Sequence, residues 1–568
     1  MKFKEIIIKN IKSFKSETKI IFNSKLNILI GSNGGGKSNF LDIITICMRK
    51  YFTPYYSIQN NKNVSQISNT TQNYQLDKFN GNLDNSYIKI TFIVTTEDIV
   101  NINNIIKNIQ ELNLKFQKYP NVKTHLNNLS TYEENMLNLN DEITFFIEDD
   151  KIDIMNNRKE NLFYQYLNIY NLLQLLDMNN KDVIIKYTNF LFISPNRNIN
   201  VKHFQFNLSS SQYDRTLVQH GEPTSKEPQS LIPIAAAYFS SKKRTFEMND
   251  NETTKQLWNS DTEVNLINKY LKRINYEWKL KLHDADKNIY KIDIYDMNSN
   301  SIIELNQLSS GEKEILNYIF GIFALNVKNG IIIVDEPEIH LHPKWQKLLL
   351  NILLEICEDT GSQIVIATHS PSFINDQTCF DILRFFKNEN NETQVIKSNN
   401  YDEIKQKNIL LTINATNNEK IFFADKIILV EGITDKLIFQ KILDTEFPNL
   451  RQNQIIEIIE IGGKHNYKKF KEYIETLKIP LYYISDIDSL NEYGNEKIRS
   501  FLKPDYKKIK TKVIKDKNSI DGKNLLLKLN HAIKNKNFNK LEQLWDYIKE
   551  RNSHLNVKDL NEEELNQI

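Results

Sequence analysis

The sequence has few cysteines and no long apolar run, and each shortage excludes a class of protein. Cys47, Cys357 and Cys379 are the three cysteines, and they lie far apart with no CxxC pair. This argues against a disulfide scaffold or a cysteine-rich zinc site and fits a reducing compartment. No run of roughly 18 or more apolar residues predicts a membrane helix, and the N-terminus lacks the apolar core of a signal peptide. We therefore expect a cytoplasmic protein with no membrane association.

Charge of one sign is not in excess either. Lys and Arg total 73 and Asp and Glu total 71, which leaves a net charge of +2. Any surface for nucleic acid must therefore come from local clustering. The 568 residues, of which 40% are hydrophobic, allow roughly three or four domains, or two large ones.

Glycine is scarce, with 15 in the chain, yet four occur in the stretch GSNGGGKSN, Gly31 to Asn39. The stretch matches G-x-x-x-x-G-K-[ST] through Gly31, Gly36, Lys37 and Ser38, and it lies between a predicted buried strand and a predicted helix. In this context backbone N–H groups and the helix N-terminus cradle phosphates. Lys37 would reach the β- and γ-phosphates and Ser38 would bind Mg²⁺. The alternative is an ordinary glycine turn.

A second motif, GIIIVDEPEIHLHP, predicts a buried strand that delivers Asp335 and Glu336 to the edge of a sheet. Asp335 would hold Mg²⁺, directly or through water, and Glu336 would polarise the attacking water. Many strands end in acids, so this motif alone is weak evidence. Together with the glycine loop it indicates a nucleotide-hydrolysing site.

Two further motifs fit the same site. LSSGEKE precedes a predicted helix, and a Ser-Ser-Gly at a helix N-terminus is another phosphate-binding arrangement. The alternative is a plain N-cap at Ser309 or Ser310, with Glu312 or Glu314 favouring the helix dipole. IVIATHS predicts a strand ending at His369, which could contact the γ-phosphate, although a lone His is usually structural.

These four motifs, in this order, resemble the Walker A, signature, Walker B with D-loop, and H-loop of ABC-type ATPases, and more narrowly the RecF/SMC/Rad50-like branch. The resemblance implies that Ser310 and Gly311 act on a nucleotide held by a second subunit, and so at least a homodimer. Residues 98–184 would be an inserted helical region for dimerisation or an arm; with no cysteine there, a zinc hook is excluded. No Q-loop glutamine is obvious, and Arg197 would serve instead. The nucleotide-binding residues implied are Asn33, Gly34, Gly36, Lys37, Ser38, Asn39, Ser310, Gly311 and His369.

A second α/β section begins near residue 420, where predicted strands and helices alternate as in a parallel sheet. KIILVEGITDKLIF carries Glu431 and Asp435, and LYYISDIDSL carries Asp486 and Asp488. Alternate residues of a strand share a face, and two like charges there are costly unless a cation neutralises them. Oxygen ligands suit Mg²⁺ or Mn²⁺, and two metals can activate water at a phosphodiester. The alternative is that these acids simply lie in solvent.

The Glu-Gly pair, the turn IGGKHN with Gly462 and Gly463, and the D-x-D pair together resemble a TOPRIM domain. An ABC ATPase followed by TOPRIM is identified as the arrangement of the OLD (overcoming lysogenization defect) family, with relatives in Gabija defence and among retron-associated effectors. The metal ligands implied are Ser38 and Asp335 in the ATPase and Glu431, Asp435, Asp486 and Asp488 in the TOPRIM domain. The family also uses a downstream lysine, for which Lys523 is our choice and Lys517 the rival.

The predicted fold is α/β, with an ABC-type ATPase head (1–97 and 185–415), the helical insertion (98–184) and a TOPRIM domain with a helical tail (420–568). The resemblance implies a metal-dependent DNA endonuclease that binds and hydrolyses ATP and acts in antiphage defence. Its cofactors would be ATP and Mg²⁺ or Mn²⁺. Its partners would be duplex DNA, further copies of itself, and a helicase-like protein or a reverse transcriptase with a noncoding RNA. The catalytic residues implied are Glu336, Glu431, Asp486, Asp488 and Lys523.

The alternative function is an ATP-switched clamp or sensor of the RecF/SMC type, in which the TOPRIM module binds without catalysis. A degenerate TOPRIM would be expected to lack Glu431 or the D-x-D pair, and the sequence retains both.

Overall fold

A computed structural model of the chain describes residues 1–54, 56–59, 63–66, 86–117, 120–148, 151–153, 157–177, 187–195, 205–207, 231–247, 254–284, 289–303, 307–375, 377–397, 419–449, 454–485 and 522–553. These residues form two compact units. The first comprises Met1–Asp425 with Tyr473–Ile479, and the second comprises Lys426–Glu472 and Pro480–Ile568. In the described ranges, no helix is long and apolar enough to cross a membrane.

The strands in this part of the chain are β1 (Lys2–Lys9), β2 (Thr18–Ile21), β3 (Leu26–Ile30), β4 (Tyr56–Gln59), β5 (Asn63–Gln66), β6 (Tyr87–Ile93), β7 (Glu142–Glu148), β8 (Lys151–Asp153), β9 (Thr188–Ile193), β10 (Gln205–Asn207), β11 (Tyr276–Asp284), β12 (Ile289–Asp296), β13 (Ile302–Ile303), β14 (Val327–Asp335), β15 (Gln363–Ala367), β16 (Ile382–Lys387), β17 (Thr393–Lys397), β18 (Lys426–Val430), β19 (Ile456–Glu460) and β20 (Leu481–Ile484).

The α-helices are α1 (Lys37–Cys47), α2 (Thr96–Lys107), α3 (Ile109–Lys115), α4 (Pro120–Leu129), α5 (Arg158–Asp177), α6 (Ile232–Glu247), α7 (Thr254–Ser260), α8 (Thr262–Lys272), α9 (Ser310–Ala324), α10 (Pro343–Thr360), α11 (Ile433–Glu446), α12 (Tyr467–Thr476), α13 (Gly522–Lys534) and α14 (Phe538–Ser553). A π-helical turn, Met48–Phe52, continues α1.

The central sheet of the first unit has six strands in the order β17-β16-β3-β15-β14-β9. All pairs are parallel except β16 with β17, which is antiparallel. The strands β3 and β15 are buried along their whole length, and their sequences LNILI and QIVIA are almost wholly apolar. Such runs are typical of parallel strands covered on both faces. Because β3, β15 and β14 are parallel neighbours, the segments that follow them emerge at the same edge of the sheet.

A second sheet in this unit is antiparallel, in the order β2-β1-β6-β7-β8. Its strand β7 lies inside the region 98–184 that we predicted to be a helical insertion. The region is helical in α2 to α5, but EITFFIE buries Ile143, Phe145 and Ile147 at alternate positions and pairs with β6. Side chains of α5 belong to the same apolar cluster as those of β1 and β6. The predicted helical insertion thus also contributes a strand to this sheet, because this alternation fits a half-buried strand.

A smaller sheet, β10-β12-β11 with β13 beside β12, packs against the helices α6, α8 and α9. Aromatic rings make these contacts: Trp278 of β11 lies 5.2 Å from Phe320 of α9, and Tyr270 of α8 stacks at 5.5 Å on Phe323. The smaller sheet therefore supports the helix that begins at the LSSGEKE motif.

The second unit contains a three-stranded parallel sheet in the order β19-β18-β20. Helix α11 joins β18 to β19 and helix α12 lies between β19 and β20 in the sequence, as expected for parallel strands that need crossover connections. The central strand β18 ends at Val430, one residue before Glu431. The C-terminal helices α13 and α14 pack on each other.

Candidate nucleotide and metal sites

The glycine loop after β3 packs so closely on β16 and β17 that side chains are excluded. Gly31 has a φ of 141°, and a Cβ there would lie 1.9 Å from the carbonyl oxygen of Phe385. Gly36 has a φ of 110°, and its Cβ would lie 2.2 Å from Oγ1 of Thr393. Gly34, with a φ of 78°, has open space around it. The loop is thus tight against the sheet side and open at Gly34, as a backbone cradle for a ligand requires.

Helix α1 begins directly at this loop. Gly36 is its N-cap, with no capping side chain and no acidic residue in the first turn among the described residues. Its first N–H groups are therefore available to an anion. Asn33 and Ser38 are exposed. The side chain of Asn39, another predicted nucleotide contact, donates from Nδ2 to Oγ of Ser13 at 2.9 Å.

Lys37 is buried, and its ammonium group lies within the glycine loop. Its Nζ donates to the carbonyl oxygens of Gly31 at 2.7 Å and Ser32 at 3.2 Å. Burial lowers the pKa of Lys37 to about 8, although the carboxylates of Asp335 and Glu336 act in the opposite direction. Because β3 and β14 flank β15 in a parallel sheet, the glycine loop and the end of β14 lie at the same sheet edge and form one site.

The two acids at the end of β14 differ in environment. Asp335 is buried and lies beside Ala367 of β15. Glu336 has a φ of 46°, in the left-handed region, and its backbone N–H donates to the oxygen of Ala367 at 2.8 Å. Such a backbone is uncommon for a residue with a side chain, and strained residues cluster at functional sites. The left-handed conformation of Glu336 turns the chain sharply after β14.

Glu338, a third acid of this motif, was not among the predicted site residues. Its Oε1 accepts the backbone N–H of His369 at 2.6 Å, and its Oε2 accepts the hydroxyl of Thr368 at 2.7 Å. Burial raises the pKa of Glu338, while these two donors oppose the shift. Glu338 thereby ties the loop after β14 to the end of β15. The sequence DEPE contains this acid, but no local pattern identifies Thr368 and His369 as its hydrogen-bond partners.

His369 lies at the same edge. Burial, followed by the positive charge of Lys37, lowers the pKa of His369 to about 4. The imidazole is therefore neutral at pH 7 and is close enough to Lys37 to sense its charge. The structure thus brings together Lys37, Asp335, Glu336 and His369, which are four of the predicted site residues.

The LSSGEKE motif forms a capping box. Ser309 is the N-cap of α9 and accepts from the N–H of Glu312, whose carboxylate in turn accepts from the N–H of Ser309 at 2.8 Å. Tyr276 of β11 donates to the other oxygen of Glu312 at 2.6 Å. Ser310 is exposed and Gly311 is buried beside Leu341. The capping alternative is therefore confirmed for Ser309, and it leaves the hydroxyl of Ser310 accessible.

In the second unit, Glu431 follows the central strand β18. Val430 lies beside Ile484 in the register of β18 with β20, and the hydroxyl of Tyr483 donates to Oε1 of Glu431 at 3.3 Å. The ring of Tyr483 stacks on that of Tyr467 at 4.1 Å. Asp486 comes two residues after Ile484 in the sequence.

Asp435, a predicted metal ligand, has a structural role as well. Its Oδ2 accepts from the backbone N–H of Gly432 at 3.1 Å and so caps α11. A carboxylate has about four lone-pair sites, so Oδ1 remains able to bind a cation. The predicted tight turn is present, because Gly462 and Gly463 have φ values of 66° and 107°.

Several predicted residues lie outside the described residues: Arg197, Asp486, Asp488 and Lys517, together with the side chain of Lys523. Within the described ranges, no group of three or more His, Cys, Asp or Glu side chains could hold a metal ion. The donors described at this edge are Glu431 and Asp435. The complete metal centre therefore stays a prediction.

Comparison with known families supports both predicted domains, the ATPase and the TOPRIM domain. The family model "AAA ATPase domain" matches residues 1–374, and "Overcoming lysogenization defect protein-like, TOPRIM domain" matches residues 422–488. The chain belongs to the OLD family. The predicted architecture of an ATPase domain followed by a TOPRIM domain is thereby confirmed.

Individual OLD family relatives are distant. The chain is 25% identical to "Endonuclease GajA" of Bacillus cereus strain HuB5-5 over 283 residues, which is 42% of this chain and 40% of that protein. It is 26% identical to "OLD nuclease" of Thermus scotoductus over 193 residues, 32% of this chain and 36% of that protein. It is 37% identical to "Retron Ec83 probable ATPase" of Escherichia coli over 89 residues, 14% of this chain and 16% of that protein. The matches thus span less than half of each relative.

Proposed function

We propose that this OLD family chain binds and hydrolyses ATP and uses divalent metal ions to cleave DNA, as an effector of antiphage defence. The observation that carries the proposal is the position of Lys37, which is buried in the glycine loop at the sheet edge where β14 ends in Asp335 and the segment after β15 carries His369. A cation, a buried carboxylate and a strained glutamate at one sheet edge are what phosphoryl transfer to water requires.

The glycine cradle fits a polyphosphate, and Ser38 and Asp335 offer the oxygen ligands that Mg²⁺ prefers. The metal would neutralise phosphate charge when bound. Lys37 binds phosphate oxygens, Glu336 orients the attacking water, and neutral His369 donates one hydrogen bond to a phosphate oxygen. Asn33, Gly34, Gly36 and Asn39 would complete the cradle, and exposed Ser310 with Gly311 would act on the site of a second subunit.

For DNA cleavage, Glu431, Asp435, Asp486 and Asp488 would hold Mg²⁺ or Mn²⁺, which would activate water and stabilise the leaving oxygen. Carboxylate oxygens are suitable donors for either ion. Tyr483 orients Glu431 through its hydroxyl. Lys523 would stabilise negative charge on the phosphate. The printed names "Endonuclease GajA" and "OLD nuclease" support the same chemistry.

A plasmid assay tests both halves. Supercoiled DNA is incubated with the full chain and Mg²⁺ or Mn²⁺, with and without ATP. We expect Glu431→Ala and Asp486→Ala to abolish cleavage while ATP binding survives, and Glu446→Ala, a change at an exposed acid at the end of α11, to leave cleavage intact. Lys37→Ala should weaken ATP binding. Persistent cleavage by both acid variants would remove the nuclease assignment, and unchanged ATP affinity in Lys37→Ala would contradict the glycine-loop site.

One observation favours the second candidate, an ATP-switched clamp with a non-catalytic TOPRIM module. Asp435 caps α11, so a helix-stabilising role alone would account for its presence. In that case DNA binding would depend on ATP, and no metal would produce cleavage in the plasmid assay.

The proposed partners are duplex DNA, at least one further copy of the chain, and a second defence component. The name "Retron Ec83 probable ATPase" supports a defence-system setting, and the second component that we propose is a reverse transcriptase with noncoding RNA or a helicase-like protein. Mass measurement of the purified chain, with and without ATP, tests self-association.

A further inference from the structure

A cavity of about 560 Å³ lies between helices α6, α7 and α8 and the strand β11, away from every residue placed in the two sites above. Ligand sites in proteins commonly have volumes of about 300–1,000 Å³. Two tryptophans and four lysines are among the residues that line it, namely Trp258, Trp278, Lys243, Lys272, Lys279 and Lys281. Among the described residues, Glu277 is the single carboxylate that lines it.

The two tryptophans differ in how far they are buried. Trp278 is held by Phe239 and Phe320, each at 5.2 Å between ring centroids, and it is 6% exposed. Its Nε1–H has no acceptor among the described residues. Trp258 is half-buried and lies 5.6 Å from Trp278. A fixed indole with an adjacent, more accessible one provides a platform on which a planar ring can stack.

Two of the four lysines that line the cavity already have polar partners. Lys243 donates to the carbonyl oxygen of Leu280 at 2.8 Å, and Lys281 pairs with Asp293 at 3.2 Å. Lys279 is exposed, but its Nζ lies 4.6 Å from the ring centroid of Tyr295 of β12, and the alternation of β11 places its side chain on the opposite face from Trp278. Lys272 is exposed and forms no ion pair with any residue in the described ranges. Its ammonium group is therefore available to an anion at the mouth of the cavity.

We propose that this cavity binds a nucleotide unit, with its base stacked on Trp258 and its phosphate neutralised by Lys272. An aromatic platform combined with positive charge is how proteins hold unpaired nucleotides. A peptide strand added to the edge of β11 would use the backbone instead. That edge is partly taken, since Lys243 already occupies the oxygen of Leu280. The nucleotide could be free or could belong to an unpaired DNA strand.

The test uses the full chain carrying Lys37→Ala, in EDTA, so that neither the glycine loop nor bound metal contributes. The probes are thymidine monophosphate, followed by calorimetry, and a fluorescent oligothymidylate of about 12 nucleotides, followed by anisotropy. We expect Trp258→Ala to weaken binding at least about fivefold, as for the loss of one stacking partner, and Trp258→Phe to retain most of it. Lys272→Ala should lower the salt dependence of oligonucleotide binding by about one unit of slope.

Trp545→Ala and Lys347→Ala, at exposed positions elsewhere, are the matched controls and should bind as the parent does. If Trp258→Ala weakens the binding of both probes, the cavity is a site for nucleotides in general. If it weakens the binding of the oligonucleotide alone, the cavity is a site for an unpaired strand. If the parent binds neither probe, or if the cavity variants bind both as well as the controls do, the proposal is wrong.

Discussion

The backbone N–H of His369 donates to the carboxylate of Glu338 at 2.6 Å, across 31 residues of sequence. The same carboxylate accepts the hydroxyl of Thr368 at 2.7 Å. Glu338 therefore determines where the strand that carries His369 ends relative to the loop that carries Glu336. In ATPase terms, it couples the position of the D-loop to that of the H-loop.

Replacing Glu338 should separate these two loops. Glu338→Ala removes the acceptor of two donors, of which the Thr368 hydroxyl is part-buried and the His369 N–H exposed, so we expect a loss of about 1 kcal/mol and a lower thermal unfolding temperature. The rate of ATP hydrolysis should fall with it. Glu338→Gln keeps one acceptor oxygen and is the control, with a smaller loss of both. Equal stability and hydrolysis in Glu338→Ala and the parent would show that the contact has no role.

The depressed pKa of Lys37 predicts how ATP affinity depends on pH. In the free protein burial lowers this pKa from 10.5 to about 8, while bound phosphate favours the charged form and raises it again. Affinity should be full below about pH 8 and should weaken above it by up to about tenfold per pH unit. Lys37→Arg keeps its charge in this range. A fluorescent ATP titration should therefore give a flat profile for the variant, and a flat profile for the parent would refute the buried position.

Glu336 should be needed for hydrolysis and not for binding. Glu336→Gln keeps the shape of the side chain and removes its ability to polarise water, so the hydrolysis rate should fall about a hundredfold or more. ATP affinity should change little, because Lys37 and the loop backbone are intact. Parallel measurement of phosphate release and ATP binding tests this, and a proportional loss of both would place Glu336 in binding instead.

The glycines of the loop should not be equivalent. In Gly34→Ala the new Cβ meets open space, so the cost is that of left-handed backbone alone, about 1–2 kcal/mol. In Gly31→Ala the Cβ would overlap the carbonyl of Phe385, and β16 would have to move. Thermal unfolding should therefore show a larger loss for Gly31→Ala than for Gly34→Ala. The reverse order would contradict the packing of the loop on β16.

Tyr483 should matter for cleavage through its hydroxyl. Tyr483→Phe preserves the stack on Tyr467 and removes the donor to Glu431, so the DNA cleavage rate should fall by about tenfold, as for one hydrogen bond to a charged group. Tyr482→Phe, at the exposed neighbouring position, is the control and should cleave normally. Thermal unfolding should be similar for both variants. Equal cleavage by both would show that Glu431 needs no such support.

The parts of the site whose residues are adjacent in the sequence were predictable. The strand LNILI, the glycine loop and the start of α1 follow one another in the sequence, and apolar runs ending in Asp335 and near His369 predicted two more buried strands. The strand β7 was missed, because its neighbours 98–129 and 158–177 are helical and the composition of the region suggested helices throughout. Its alternation of Ile143, Phe145 and Ile147 was the signal that would have identified it.

The sequence by itself determined the chemistry on offer: a phosphate-binding loop, acids at strand ends, and two α/β modules of one family. It could do so because residue type and short spacing decide backbone conformation and ligand preference. Only the tertiary structure decided which groups meet. The bonds of Glu338 to His369 and Thr368, the burial of Lys37 and the approach of Trp258 to Trp278 join segments that are distant in the chain. Their packing depends on strand order and helix placement, which no local pattern encodes.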